Sequence, residues 1–262
     1  MGRKPREKSG TGIYHVMLRG VNRQDIFEDE EDYAVFKKQL YRVVFYKDES
    51  GRPQPPRCAI YAYCLMTNHV HLLVRETIED LSTVIKRITV GYALYYNSKY
   101  QHIGHLFQNR FRSEVVNDEG YFLTLLRYIH QNPVAAAITK TVADYKWSSW
   151  GEYENYRVGK QTICSILPVL KLMPFADLRA LVFELLPKAS LILDFDNEGG
   201  RRSDDEIKAF FSETFGLRQP TDLQLYSRDR RLDILRMAKQ YGASIRQLER
   251  MTGISFTIIR TA

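Results

Sequence analysis

Short runs of apolar and β-branched residues punctuate the first half of the chain. Ile13 to Arg19, Arg57 to Leu65 and Asn68 to Val74 each have strand length and composition, and a fourth, shorter run lies at Ser113 to Val116. Between them the apolar period lengthens to that of a helix. Glu30 to Phe45 places Tyr33, Phe36, Leu40 and Val44 on one face, and Leu81 to Tyr96 and Glu119 to Asn132 follow the same rule. The Pro- and Gly-containing stretch 49–56 reads as a loop, and Met66-Thr67-Asn68 as a turn. The order β-α-β-β-α-β predicts an α+β domain over residues 1–157: a ferredoxin-like split βαβ sheet with helices on one face. The other face is left open for a site.

Beyond Val158 the pattern is helical. Thr162 to Leu186 predicts two helices broken by Pro168 and Pro174, and Asp194 to Gly200 reads as a linker, so 158–200 forms a connector. Ser203-Asp204-Asp205-Glu206 has capping-box spacing ahead of Ile207, opening a helical region over 201–262. Within it, Ser227 to Tyr241 predicts one helix, Gly242-Ala243 its stop, and Ser244 the N-cap of a short helix ending near Met251. Thr252-Gly253-Ile254 is then a turn, and Ser255 caps a last helix. With Ile245, Leu248, Ile254 and Ile258 as apolar contacts, residues from about 226 to 262 match a helix-turn-helix, a pattern that structural helical hairpins share. If the module binds duplex DNA, Ser255, Thr257 and Arg260 face it.

Charge sharpens this picture. The net charge of +7 is uneven: residues 1–23 carry six Lys or Arg against one Glu, and residues 226–262 carry eight against three acids, so each end holds +5 and the middle −3. Positive termini suit a partner whose phosphates must shed counterions, although a solvated basic tail looks the same at the N-terminus. No run of eighteen apolar residues occurs and the first residues carry no apolar signal core, so a secreted or membrane-spanning protein is not expected. Three cysteines without metal-finger spacing are expected to be reduced thiols of a cytosol.

The candidate chemistry sits in two segments. A period of two sends His69 and His71 out of one strand face, about 7 Å apart, where they can share a divalent metal. In the helix, Tyr128 and Asn132 are four apart and offer a phenol and an amide to one point. A phenol whose ordinary pKa is about 10 is a poor nucleophile at neutral pH. A metal that polarises a phosphodiester would let it attack in line and leave a covalent phosphotyrosine link. Each motif alone has a bland reading: a His-x-His is usually a packing pair, and most of the seventeen tyrosines are core or surface. Their joint occurrence, with an amide one turn beyond the tyrosine, favours catalysis.

These motifs, with the opening Tyr14-His15-Val16-Met17-Leu18-Arg19-Gly20-Val21-Asn22-Arg23, the run Tyr128-Ile129-His130-Gln131-Asn132-Pro133-Val134 and the following Trp147-Ser148-Ser149, resemble the single-tyrosine HUH transposases of small insertion sequences, and most of all the REP-associated branch. The resemblance spans about Gly12 to Tyr153. It implies a single-stranded DNA endonuclease and strand transferase acting on hairpin-forming DNA. His69 and His71 become metal ligands, with Mg²⁺ or Mn²⁺ as the ion, and Tyr128 the nucleophile joined to a 5′ phosphate. Many relatives carry glutamine four residues after the tyrosine. Here that place is Asn132, with Gln131 one position earlier, so the third ligand lies between them and Asn132 is favoured. Ala135 replaces an arginine that relatives often have. Gly104 to Arg112 interleaves aromatics with arginines, which suits single-stranded DNA, while Phe107 and Phe111 at i,i+4 suit a core equally well. Arg110 and Arg112 are thus candidate DNA contacts, as are Arg19, Asn22 and Arg23. The resemblance implies a bacterial, cytoplasmic, nucleoid-associated protein and leaves monomer or homodimer open. The alternative is a host-adopted DNA-binding regulator that no longer transposes.

Overall fold

In the computed structural model, residues 6–108, 110–185, 204–243 and 245–261 are described. The chain divides into two compact units, residues 1–190 and 191–262. In the first, strands β1 (Ile13–Arg19), β2 (Cys58–Met66), β3 (His69–Glu76) and β4 (Arg112–Val116) form one sheet in the order β2-β3-β1-β4. Every neighbouring pair is antiparallel. With α1 (Glu30–Val44) between β1 and β2, and α2 (Leu81–Tyr100) between β3 and β4, this is the split βαβ arrangement. The fold is α+β, as the periodicity predicts, and α2 runs one turn further than expected.

The alternation of each strand allots its side chains. Val16 and Leu18 of β1, Val70, Leu72 and Val74 of β3 and Leu65 of β2 are buried and share one face. Helices α1 and α2 cover it, contributing Phe36, Leu40, Val44, Ile85, Ile88 and Tyr92; Tyr33 is only half-buried and stacks on Trp147 with centroids 4.6 Å apart. A capping box between Asp29 and Asp32 starts α1. Asp32 is itself buried. Burial alone would raise its carboxyl, yet hydrogen bonds from Lys99 and Tyr100 hold it below the ordinary aspartate value and tie α2 to the start of α1.

Helix α3 (Glu119–Ala135), capped by Asp118, lies on the opposite face, against β2, β3 and β4. Its inner side carries Phe122, Leu125, Leu126 and Ile129. After α4 (Trp150–Glu154), α5 (Ile166–Leu172) and α6 (Phe175–Phe183) continue the first unit. The stretch expected as a connector therefore divides: α6 packs on α3, Trp150 stacks on Phe175, and the described residues up to 185 are part of this unit. Pro174 breaks the helices as expected. Pro168 does not, because it falls in the first turn of α5, where a missing N–H costs nothing.

The second unit has its own apolar core. Helices α7 (Asp204–Phe215), α8 (Arg228–Tyr241), α9 (Ile245–Thr252) and α10 (Phe256–Thr261) bury Ile207, Phe211, Ile234, Leu235, Leu248, Ile254 and Ile259. Gly242 ends α8 in the left-handed conformation. Gly253 turns α9 into α10 at φ +69°, where a side chain would also strike the Gln224 amide at 2.5 Å. The helical phase corrects one expectation: Ile258 is 41% exposed and Ile259 is the inward residue. Ile254 precedes α10, so counting four from it as though in one helix selects the wrong face. The expected cap residues Ser203 and Ser244, and the expected linker Asp194 to Gly200, lie outside the described residues.

Candidate active site

The strand register builds the site. On β1, His15, Met17 and Arg19 pair with Leu73, His71 and His69 of β3, so all six point to the face that carries α3. From β4, Glu114 and Arg112 stand opposite His15 and Met17; from β2, Cys64 and Met66 stand opposite His71 and His69. His69 is half-buried and His71 fully buried, with ring centroids 5.0 Å apart. The half-buried Tyr128 of α3 closes over them, its ring centroid 5.6 Å from His71 and 6.0 Å from His15. Three imidazoles and one phenol thus meet between sheet and helix, although they come from three elements.

Both histidines of the pair are held through Nδ1. The Asn68 amide nitrogen donates to the Arg23 carbonyl at 3.2 Å, which fixes the amide and turns its oxygen towards His69 Nδ1, 2.7 Å away. Asn22 and Arg23 hold that carbonyl in place from left-handed backbone, with φ of 51° and 64°. Such conformations are costly for residues other than glycine, and the strain falls on a turn that orients a site residue. On the other side, His71 Nδ1 lies 3.0 Å from His15 Nε2. His71 Nε2 is buried and has no hydrogen-bond partner. Burial, and then charge on His69 and His15, push the His71 pKa well below the ordinary histidine value, so a neutral imidazole faces the site. An unpartnered buried nitrogen of a neutral imidazole fits a metal ligand. Among the described residues no cluster of three or more His, Cys, Asp or Glu is arranged around a metal position, so a two-histidine centre needs a donor of another kind.

Of the two amides, Gln131 is buried and donates to the carbonyls of Val182 at 2.7 Å and Glu184 at 2.5 Å, which ties α6 to α3. Asn132 donates from Nδ2 to the Tyr128 carbonyl at 3.1 Å, leaving its oxygen as the other end of the amide. His130, next to the tyrosine, is scaffold. It is buried between the Leu126 carbonyl and the Ser149 hydroxyl, and burial lowers its pKa to about 4. Ser149 also accepts from the Tyr63 N–H of β2, which explains the serine pair after Trp147.

The expected DNA contacts separate. Arg19 and Arg112 lie on the tyrosine face; Asn22 and Arg23 are exposed at the exit of β1. Arg110 instead borders a cleft of about 450 Å³ with Arg6, Lys86, Phe107 and Phe111, on the side of Leu18 and α2. Arg6 lies over the Phe111 ring at 3.6 Å. Ser255, Thr257 and Arg260 are all exposed in the second unit. Three residues of the site were not singled out in the sequence: His15, Asn68 and Glu114. Alternation alone puts His15 and Arg19 on one face, but matching that face to the His69 face requires the β1–β3 register.

The sheet face under α3 thus carries paired histidines beneath a helical tyrosine. Residues 9–132 match the family model described as Transposase IS200 like, so that stretch of the chain is similar to the IS200-like transposases. Two solved structures are similar to it. One, of the REP-associated tyrosine transposase bound to a REP hairpin, is 18% identical, is matched over 62% of this chain and 90% of its own, and has a TM-score of 0.47. The other, a candidate transposase from Deinococcus radiodurans R1, is 20% identical over 50% of this chain and 97% of its own, with a TM-score of 0.32. No curated protein matches the chain. Among the described residues no helix is long and apolar enough to cross a membrane.

Proposed function

We propose that the chain is a metal-dependent single-tyrosine endonuclease and strand transferase for single-stranded, hairpin-forming repeat DNA. The observation that carries this reading is the Tyr128 ring set against His71 and His15 at 5.6 and 6.0 Å, above a buried His71 Nε2 with no partner. His69 and His71 would hold the ion through Nε2, with the Asn132 oxygen as the third donor. When bound, a divalent metal neutralises phosphate charge and polarises the scissile group. Tyr128 Oη attacks the phosphorus and loses its proton to solvent, an O–P bond forms, and the bond to the 3′ oxygen breaks. That oxygen takes up a proton and leaves as a free 3′ hydroxyl, while the 5′ phosphate stays on the tyrosine. Attack by the 3′ hydroxyl of a second strand reverses the chemistry and releases the enzyme. Arg19 and Arg112 on the same face supply cations for the DNA backbone, and the exposed Ser255, Thr257 and Arg260 of the helix-turn-helix-like unit supply contacts to duplex DNA.

The test is incubation of the full chain and of Tyr128→Phe with end-labelled single-stranded hairpin DNA, drawn from repeats flanking its gene, with Mg²⁺ or Mn²⁺. A denaturant-resistant protein–DNA band that requires metal and vanishes in Tyr128→Phe is the expected result. Cleavage that survives the substitution would assign the attack to water. Binding without cleavage under either metal would assign a regulatory DNA-binding role.

A further inference from the structure

The hydrogen-bonded neighbours of the two histidines differ in kind. His69 is backed by a neutral amide, whereas His71 is backed by a second imidazole with a carboxylate behind it. His15 Nε2 is 3.0 Å from His71 Nδ1, and His15 Nδ1 is 3.8 Å from Glu114 Oε2. The two imidazole planes are 18° from parallel and their centroids 5.2 Å apart. The nitrogen–nitrogen distance plus two ring radii accounts for that separation only if the rings lie end to end in nearly one plane, the geometry of an in-plane N–H···N bond rather than of face-to-face stacking. Both rings are fully buried, so water does not compete for the bond.

We propose that Glu114 and His15 form a positioning relay that fixes the tautomer and ring orientation of His71. The carboxylate of Glu114, at 3.8 Å beyond hydrogen-bond reach of His15 Nδ1, favours the proton of His15 on that nitrogen through its negative charge. His15 Nε2 is then an acceptor, His71 must carry its own proton on Nδ1 to donate to it, and His71 Nε2 is left as a lone pair facing Tyr128 and the reacting phosphate. Only the His15–His71 link is a hydrogen bond; the half-exposed carboxylate at the sheet edge acts on it through its charge and biases which nitrogen is offered at the centre. Cross-strand register sets Glu114 directly opposite His15, and His71, which pairs with Met17, is the diagonal neighbour of His15 on the same face. Outer partners of this sort orient a ligating imidazole and increase its basicity, and their loss typically weakens metal binding about 10- to 100-fold. His15 and Glu114 are positioning residues and touch no substrate.

This inference rests on the proposed metal-dependent reading, and its test separates the two. Mn²⁺ affinity is measured by calorimetry on the DNA-free full chain for wild type, His71→Ala, His15→Leu, His15→Gln and Glu114→Gln, with a thermal melt of each. The tautomer of His71 is read from ¹⁵N-imidazole spectra of the metal-free protein. The relay predicts His71 protonated on Nδ1, a roughly 10- to 100-fold weaker Kd in His15→Leu, and substantial recovery in His15→Gln, whose amide oxygen can accept the same hydrogen bond. Glu114→Gln, near the surface and expected to fold, should weaken binding by a smaller factor and mix the His71 tautomers. His15→Leu with wild-type Kd, or His71 protonated on Nε2, overturns the relay. Equal losses in His15→Gln and His15→Leu also overturn it, because they would make His15 a direct ligand. Unchanged Mn²⁺ binding in His71→Ala would instead overturn the metal-dependent reading itself.

Discussion

One sheet presents two faces made by the same alternation, and they bury different chemistry. Under α1 and α2 the strands contribute Val16, Leu18, Leu65, Val70, Leu72 and Val74, all close to fully buried and apolar. Under α3 the intervening positions are His15, Met17, Cys64, His71 and Leu73, equally buried but with two imidazoles among them. An apolar residue buried on the first face contributes about 1.5 to 3 kcal/mol by leaving water. A buried imidazole on the second contributes nothing comparable unless its nitrogens are partnered. The first face can therefore carry the stability of the unit while the second keeps groups, such as His71 Nε2, that folding alone does not need.

The largest effect should come from the helix that covers the polar face. Tyr128→Phe removes one oxygen from a half-buried ring, and is expected to lower covalent strand transfer by about 10⁴-fold or more, as loss of a nucleophile does. The melting temperature should stay within a degree or two. Denaturing gels and a thermal melt on the same preparation check both halves. An equal fall in stability would mean that the hydroxyl belongs to the scaffold, and the contrast between the faces would not hold there.

Much of this division was legible in the sequence. The four strands and three long helices of the first unit follow from apolar period, because each strand is buried strongly on at least one face and each helix has a defined inner stripe. His69, His71 and Tyr128 were legible because local spacing sets them on single elements. What was not legible depends on pairing between elements. His15 becomes part of the site only through its register with β3, Glu114 only through β4, and Gln131 becomes scaffold only because α6 docks where a connector was expected. Likewise, the Ile258 assignment failed on helical phase, which the turn at Gly253 resets.

The next effect breaks the apolar face. Leu72, the neighbour of His71 in β3, points the other way into the α1–α2 core and is fully buried. Leu72→Ala should cost about 2 to 5 kcal/mol, through lost transfer free energy and the cavity left behind. Chemical denaturation reads the loss. The rate of strand transfer per folded molecule, measured well below the new melting temperature, should be close to wild type. A large fall in that rate would show that the two faces are mechanically coupled.

A somewhat smaller effect is carried by pH. Burial holds His130 at a pKa of about 4 against an ordinary 6.5, so the folded state keeps it neutral while the unfolded chain takes up a proton below 6.5. Its contribution is fully present above pH 6.5, is lost as pH falls from there towards 4, and amounts to about 3 kcal/mol. The buried, depressed His71 acts in the same direction. Denaturant midpoints should therefore fall in wild type between pH 7.5 and pH 5.0. His130→Gln should start less stable and show a shallower fall, with the remaining slope assignable to His71 and the carboxylates.

The smallest effect tests the contrast within two adjacent residues. Gln131 and Asn132 carry the same amide, but one points away from the tyrosine to the end of α6 and the other bonds the carbonyl of Tyr128 itself. Gln131→Ala removes two hydrogen bonds and leaves the Val182 carbonyl without that donor, so a loss of about 1 to 3 kcal/mol in stability is expected, with Mn²⁺ affinity unchanged. Asn132→Ala should do the reverse, weakening Mn²⁺ binding more than it lowers the denaturation midpoint. Were Gln131→Ala the variant that lost metal, its amide would have to leave α6 on binding. Helix α6 would then be no fixed scaffold, because its tie to α3 would be released whenever the site is filled.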